Sequence, residues 1–462
     1  MPKQSSESNA LLQSKLNKAS NFVATLLLPN SKVSDICHEL EFTFRECVYT
    51  PMVTVWMFIS QVLSADHSCQ QAVTKLNSWR TARGLPRCSS ETTSYCKARG
   101  RLPEKLFERL LHWTSDCCNE TTDNAWLFHG REVEMVDGLT VTMADTPENQ
   151  AEYPQQKSQR TGCGFPLARM VLVFSLATGA ASLMAIGRYA GKLTGETSLL
   201  RTLLDHFKPG KILLADRYYA NYWLLALSQL KQIDMVARAH QLRKIDFRKG
   251  LRLGYYDQLV TYPRPAKPAW LTKAEYASYP PFIQVRHLRY QVEQPGYRTR
   301  VITLATTLLD ADEYTAEDLA DLYRRRWLVE LHIRSLKTQM QMDHLRCKSP
   351  SMVRKEIYCH LVGYNAVRMA MLASALKFTI CPSKLSFTGA MQALEEFGAS
   401  LRLHSAGRRD QQWENLLTTI SELRVGDRPG RSEPRVVKRR PKSYKLLRQP
   451  RQTYATHYTP AA

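Results

Sequence analysis

The chain has 462 residues, enough for two or three domains, and its 44% hydrophobic content with 8 Trp indicates globular cores rather than a disordered chain. A formal net charge of +22 and a sequence pI near 9.6 imply a polyanionic partner, nucleic acid foremost. The 11 cysteines are odd in number and form no CxxC pair and no Cys/His cluster with zinc spacing, so they read as reduced thiols of a cytoplasmic protein without a zinc site.

Residues 1–122 read as a helical domain. Near its start the longest apolar run, Phe22 to Leu28, is too short for a signal-peptide core. Thr50-Pro51 opens a helix into VTVWMFISQVL, Ser68 caps another into CQQAVTKLNSW, and Ser89/Ser90 with Glu91 start a third. Lys75, Arg80, Arg83, Arg87, Lys97, Arg99 and Arg101 thread through these helices. They give the domain either a grip on DNA or a solvated basic face.

After Thr122 the pattern changes to that of an α/β core, whose first part spans residues 123–237. Arg131 to Asp137 and Leu139 to Asp145 read as strands around Gly138, either a hairpin turning there or one strand running through it with Asp137 mid-strand. Met170 to Gly187 has the hydropathy of a membrane span, but Ser175, Thr178, Gly179 and Ser182 interrupt it, so two strands joined at Thr178-Gly179 are expected. A helix over Thr194–Phe207, a buried strand over Lys211–Asp216, a helix over Asn221–Leu230 and a strand in QIDMVAR come next. A strand meander followed by strand–helix alternation is the order of an RNase H-like domain.

Residues 238–309 form a basic β-rich insertion; Arg238 to Arg300 holds 13 Lys and Arg against 4 Asp and Glu. Residues 310–350 close the core with a helix and 351–423 are helical again. The tail, 424–462, holds 11 basic residues against 2 acidic and is expected to be disordered without DNA. The two basic stretches carry +9 each, most of the net charge of +22, around a nearly balanced middle, as a DNA groove requires.

In the closing helix, DLYRRRWLVELHIRSLK from Asp321 to Lys337, Tyr323, Arg326, Glu330 and Lys337 fall at offsets of three, seven and fourteen. At about 100° per residue these lie at roughly 0°, 300°, 340° and 320°, one stripe. Leu322, Val329, Ile333, Leu336 and Met340 form an apolar seam beside it. Taken alone, Arg326 and Glu330 are an ordinary i,i+4 ion pair.

The four residues together make the Y-(2)-R-(3)-E-(6)-K signature, and the chain here resembles DDE transposases of the insertion sequence 4 family. VDGLTVTMADTPENQ is similar to the family's context for a first Asp, and ADRYYANYW to that for a second. Likeness extends through TPMVTVWMFISQVL, SYCKARGRLP, RLGYYDQLVTYPRPAKPAWL and VRKEIYCHLVGYNAVRMA, over about residues 30–445. The resemblance implies Asp137, Asp216 and Glu330 as catalytic and metal-binding residues, holding two Mg²⁺ (Mn²⁺ in substitution). It implies Tyr323, Arg326 and Lys337 at the DNA phosphates; Arg334, Arg217, Arg298, Arg300, Lys97 and Arg99 are further expected DNA contacts. The implied partners are terminal inverted repeats, target DNA and a second copy in a homodimer, in the cytoplasm at the nucleoid and not at a membrane. The implied activity is metal-dependent cleavage, hairpin formation and strand transfer.

A hairpin calls for an aromatic platform under an unstacked base. Arg300 to Thr306 contains no Trp, which leaves Tyr297 and, further back, Trp270. Asp145 competes with Asp137 for the first position; Asp137 is preferred because it follows EVEMV as Asp216 follows KILLA. Two other readings are an inactive DNA-binding relative acting as repressor and an RNase H-like structure-specific nuclease.

Overall fold

Thr50 accepts a hydrogen bond from the Val53 amide and Pro51 takes the first helical position, where its missing N–H costs nothing. These residues start the second of five helices that open the computed structural model, which describes residues 29–45, 47–292, 301–401, 406–426, 447–450 and 453–454. The five are α1 (Asn30–Glu39), α2 (Pro51–Leu63), α3 (Cys69–Thr81), α4 (Thr93–Arg101) and α5 (Glu104–Glu120). Ser68 caps α3 as expected. α4 begins later than Ser89/Ser90 would place it, at Thr93 and without a side-chain cap.

Strand β1 (Val133–Thr142) precedes α6 (Pro147–Glu152), β2 (Leu167–Ser175), β3 (Ala181–Arg188), α7 (Glu196–Leu203), β4 (Ile212–Ala215), α8 (Tyr222–Leu230) and β5 (Asp234–Arg238). Then come β6 (Leu251–Gly254), β7 (Asp257–Pro263), α9 (Lys273–Ser278), β8 (Phe282–Gln291) and β9 (Val301–Thr306). The nine strands make one sheet in the order β3-β2-β1-β4-β5-β9-β8-β7-β6. In its first five, β1, β2 and β3 are antiparallel neighbours while β4 and β5 run parallel to β1. That mixed α/β arrangement is RNase H-like.

Alternation divides the sheet's side chains between two cores. Met135, Leu172, Phe174, Ile212, Leu214 and Val236 face one, shared with the N-terminal helices and the C-terminal half; Val136, Val171, Val173, Leu213, Ala215 and Met235 face the other, under α7 and α8. Burial on both faces is why KILLA reads as an unbroken apolar run.

There is no hairpin at Gly138. β1 runs straight through, paired with β2 from Glu134–Ser175 to Thr142–Leu167. Gly138 leaves room for a neighbouring side chain: a Cβ there would stand 2.2 Å from Cδ of Glu196, which would have to swing aside. The turn between β2 and β3 does fall at Thr178-Gly179, with Gly179 at φ +69. The stretch after β5 extends the same sheet, β9 pairing antiparallel with β5. Arg286 on β8 fastens this extension: it is fully buried, donates to both carboxylate oxygens of Asp257 on β7 (2.9 and 2.5 Å), and reaches the carbonyls of Tyr314 (2.6 Å) and Asp310 (3.1 Å).

The closing helix departs from uniform winding. α10 (Ala316–Arg325) and α11 (Leu328–Arg334) are joined through Arg326 and Trp327, whose stretch makes i to i−3 bonds: Arg326 N–H to Tyr323, Val329 to Arg326, Glu330 to Trp327. A π-helical segment, Ser335–Gln339, comes next, with the Met340 amide bonded to the Ser335 carbonyl. The 3₁₀ stretch overwinds and the π segment underwinds, so angles counted at a constant 100° per residue do not hold along the stripe. The apolar seam does hold: Leu322, Val329, Leu336 and Met340 are buried.

α12 (Pro350–Lys377) runs through the middle of the larger core, with α13 (Phe387–Leu401) and α14 (Ala406–Glu422) beside it. Its polar groups tie the layers together. Asn365 exchanges hydrogen bonds with the Ala181 backbone and donates to Thr114 of α5, and Arg368 donates to the Thr178 carbonyl (2.9 Å). No helix among the described residues is long and apolar enough to cross a membrane.

Candidate active site

β1 and β4 are parallel with Met135 opposite Leu214. Two more residues along the same register bring Asp137 opposite Asp216, on strands about 4.8 Å apart. Asp137 is thus mid-strand, not at a strand end, and accepts the Gly138 N–H (2.8 Å); Asp216 lies just past β4 and accepts the Tyr218 N–H (2.7 Å). Asp145 lies beyond the end of β1, about 26 Å from Asp137 if the chain stayed extended, and accepts from Gln150 (2.8 Å).

Arg326 connects β1 to the closing helix. One guanidinium nitrogen is 3.8 Å from Asp137 Oδ2 and another 3.4 Å from Glu330 Oε1. Its charge sits beside the buried ring of Tyr323, 5.9 Å from the centroid. Lys337, in the π segment, donates to the Thr140 carbonyl of β1 (3.1 Å). Asp137, Asp216, Glu330, Arg326, Tyr323 and Lys337 therefore gather around the β1/β4 junction.

A carboxylate that sequence reasoning did not single out joins them. Glu196, first residue of α7, lies across Gly138 with Tyr219 Oη 3.5 Å away. In sequence it reads as an acid at a helix N-terminus, which needs no further reason. Burial, first, and then the charges of Asp216 and Glu196 push the Asp137 carboxyl up to about 6, against the pull of the Gly138 N–H and of Arg326. Burial likewise raises Glu196, with Asp216 adding to it.

The other expected DNA contacts separate. Lys97 and Arg334 are exposed, and Arg217 donates to Gln241 (2.6 Å). Arg99 is a correction: it is 7% exposed, its guanidinium turned inward over the rings of Phe58 and Tyr95, because this side of α4 packs on α2. Arg298, Arg300 and Tyr297 lie outside the described residues, as does most of the basic tail. Trp270 is covered by the Arg201 guanidinium at 3.4 Å, which removes that face as a base platform. Two large aromatic side chains next to the carboxylates are open instead, Trp327 and Tyr218.

Among the described residues no three His, Cys, Asp or Glu side chains stand close enough to hold an ion as they are placed. Glu330 is turned to Arg326. The donor set nonetheless fits a hard divalent cation: it is all oxygen, and Asp137 is a half-buried carboxylate crowded by like charge, which a cation would relieve.

Residues 129–366, just over half of the chain, match the family model of the transposase DDE domain. The chain belongs to the DDE transposase family. This transposase is 26% identical over 403 residues to the transposase InsG of insertion sequence element IS4 from Escherichia coli (strain K12), covering 84% of this chain and 85% of that one. That likeness over nearly the whole length places it with the insertion sequence 4 transposases. A probable transposase for insertion sequence element IS5377 from Geobacillus stearothermophilus is 23% identical over 305 residues, 66% of this chain and 73% of its own. The piggyBac transposase synaptic complex with hairpin DNA covers 89% of this chain and 85% of its own at 10% identity and TM-score 0.42, too slight a likeness to argue from.

The raised Asp137 carboxyl gives the transposase a pH-dependent stability. Below the ordinary value of 3.8 the group is protonated folded or unfolded and costs nothing. Between 3.8 and about 6 the unfolded chain ionises first, so stability falls as pH rises, and above about 6 the full penalty applies. It amounts to roughly 3 kcal/mol at 1.36 kcal/mol per unit. Asp137→Asn removes the penalty, so urea unfolding should show the variant more stable than the parent at pH 7 and equal to it near pH 3.5. Equal stability at pH 7 would mean that its surroundings do not raise the Asp137 carboxyl.

Proposed function

We propose that this protein is the cut-and-paste transposase of a bacterial insertion sequence, with Asp137, Asp216 and Glu330 as its metal-binding catalytic carboxylates. The observation that carries the reading is the β1/β4 register, which ends at Met135–Leu214, two residues short of Asp137 and Asp216, close enough for the Asp216 charge to act on Asp137, while Arg326 spans from Asp137 to Glu330. Two divalent ions, Mg²⁺ or Mn²⁺, would activate the attacking oxygen and stabilise the leaving one in an in-line displacement at phosphorus. Asp137 and Asp216 would present their oxygens from the rigid sheet and Glu330 from the helix.

Arg326 in this reading changes partner. Its planar fork suits phosphate oxygens as well as carboxylates, so an arriving DNA strand would draw it from Asp137 and Glu330 and release both. Lys337 would add a point charge further along the strand, and Tyr323 would buttress Arg326 from below. Trp327, exposed in the turn between Arg326 and Glu330, would stack an unpaired base of a hairpin intermediate. The helical region 1–122, through Lys97, together with Arg217, Arg334, Arg298, Arg300 and the tail 424–462, would hold the terminal inverted repeats and target DNA. The core would comprise 123–237 and 310–350, with 238–309 inserted and 351–423 as a helical support. Cutting both ends together calls for a homodimer.

The test is divalent-ion-dependent nicking of DNA carrying the ends of the element, with hairpin and joined products resolved on denaturing gels. No nick in Mg²⁺ or Mn²⁺ would favour the repressor reading, and nicks without joining the nuclease. Arg326→Ala and Lys337→Ala should reduce hairpin formation and joining about 10- to 100-fold more than the first nick, the loss of one charge-assisted bond of roughly 1.5–3 kcal/mol. Equal loss at every step would show a damaged fold instead.

A further inference from the structure

We propose that Cys69 and Cys96 are a redox-active dithiol pair, closed to a disulfide by hydroperoxides, that staples α3 to α4. Their sulfurs are 3.8 Å apart, on two different helices. Cys96 is exposed and Cys69 half-buried, so an oxidant reaches one thiol with the other behind it. Both are free thiols in this structure.

Arg99 is what distinguishes this pair from the other cysteines. Its Nη2 is 3.2 Å from the Cys69 sulfur and 3.5 Å from that of Cys96. The guanidinium is held by the rings of Phe58 and Tyr95, at 4.7 and 4.8 Å, and by Gln61 Oε1 at 3.3 Å. Among the described residues it makes no ion pair with a carboxylate, and its Nε is buried without a hydrogen-bond partner. A buried cation without an anion is costly, and the sulfurs are the groups beside it that can take negative charge. Cys69 is also the first residue of a 13-residue helix, whose amide dipoles favour a thiolate. Burial outweighs Arg99 and raises the Cys69 thiol, which fits Cys96 as the group that reacts first and Cys69 as the one that resolves it.

The thiolate of Cys96 attacks the outer oxygen of the hydroperoxide; the O–O bond breaks, leaving a sulfenic acid and hydroxide or alkoxide. The Cys69 sulfur then attacks the sulfenic sulfur. The S–S bond forms, the S–O bond breaks, and the Cys69 proton leaves with the hydroxyl as water. Two thiols lose two electrons and one peroxide is reduced. The product ties the start of α3 to the helix that carries Lys97 and Arg101.

The experiment treats the reduced full chain with a small excess of hydrogen peroxide, alkylates the remaining thiols, and maps peptides by mass spectrometry. The expected first product is the peptide pair linked through Cys69 and Cys96, reversed by dithiothreitol, with a higher melting temperature than the reduced protein. Cys96→Ser should melt like the reduced parent, give no linked peptide and show no shift on peroxide treatment. Cys69 and Cys96 both still open to alkylation after the exposed Cys47 or Cys381 has been oxidised would overturn the proposal. So would a linked pair that forms as readily with the Arg99→Lys variant, once that variant is shown to melt as a folded protein, since Nη2 of Arg99 is the group that reaches both sulfurs.

Discussion

Asp216→Ala and Glu330→Ala are expected to lose strand cleavage by about 10³-fold or more while binding end DNA nearly as well as the parent. Each removes an oxygen ligand from a site where charge stabilisation is worth several kcal/mol, and every 1.36 kcal/mol is a factor of ten. End binding is expected to survive because two stretches that exclude these acids, Arg238–Arg300 and Arg424–Ala462, carry +9 each of the net charge of +22. Asp137→Asn should join them in losing cleavage, and Asp145→Asn should not, since Asp145 is engaged with Gln150 beyond the strand's end. Nicking in Mg²⁺ gels and gel-shift binding on the same preparations separate the two effects. Parent-like nicking by any of the first three variants would remove that residue from the chemistry.

The parts of this arrangement that were legible in sequence are those fixed by burial. Ile212–Ala215 is apolar on both faces because both faces are covered, and the seam from Leu322 to Met340 reads as a seam because it lies on the core. What misled was local. Gly138 suggests a turn, yet the strand runs through it, and the side chain that lies against it, Glu196, comes 58 positions later in the chain. No pattern in the sequence marks Glu196 itself. Arg99 has the look of a surface cation among other cations, and only the packing of α4 turns it inward. The offsets of Tyr323, Arg326, Glu330 and Lys337 point to one face of a uniform helix. The switch from 3₁₀ to π winding depends on backbone bonds that periodicity does not register.

Arg286→Met is expected to destabilise the protein by about 3–5 kcal/mol, the usual cost of leaving a buried partner charge uncompensated. Asp257 would be left 6% exposed without its guanidinium, and the carbonyls of Asp310 and Tyr314 would lose their donor. Because β8 joins β9 and β9 joins β5, the strain falls on the strands between the extension and the catalytic sheet. The double replacement Arg286→Met with Asp257→Leu should recover much of the loss, since an apolar pair needs no desolvated charges. Urea unfolding followed by tryptophan fluorescence measures both. A single variant within 1 kcal/mol of the parent would show that the ion pair does not fasten the extension.

The helix that carries Arg326 and Glu330 behaves as a screw of uneven pitch. Between Tyr323 and Glu330 the thread is tight, at about 120° per residue, and letting four residues relax to about 100° would turn the C-terminal part of the helix by roughly 80°. In a uniform helix that rotation would carry Lys337 and the whole apolar seam with it. Here the slack thread of Ser335–Gln339 lies between Glu330 and the buried Met340. The tight and the slack thread depart from regular winding in opposite senses, so Val329, next to Glu330, and Leu336 and Met340 beyond it all stay seated on the core although the pitch between them is uneven.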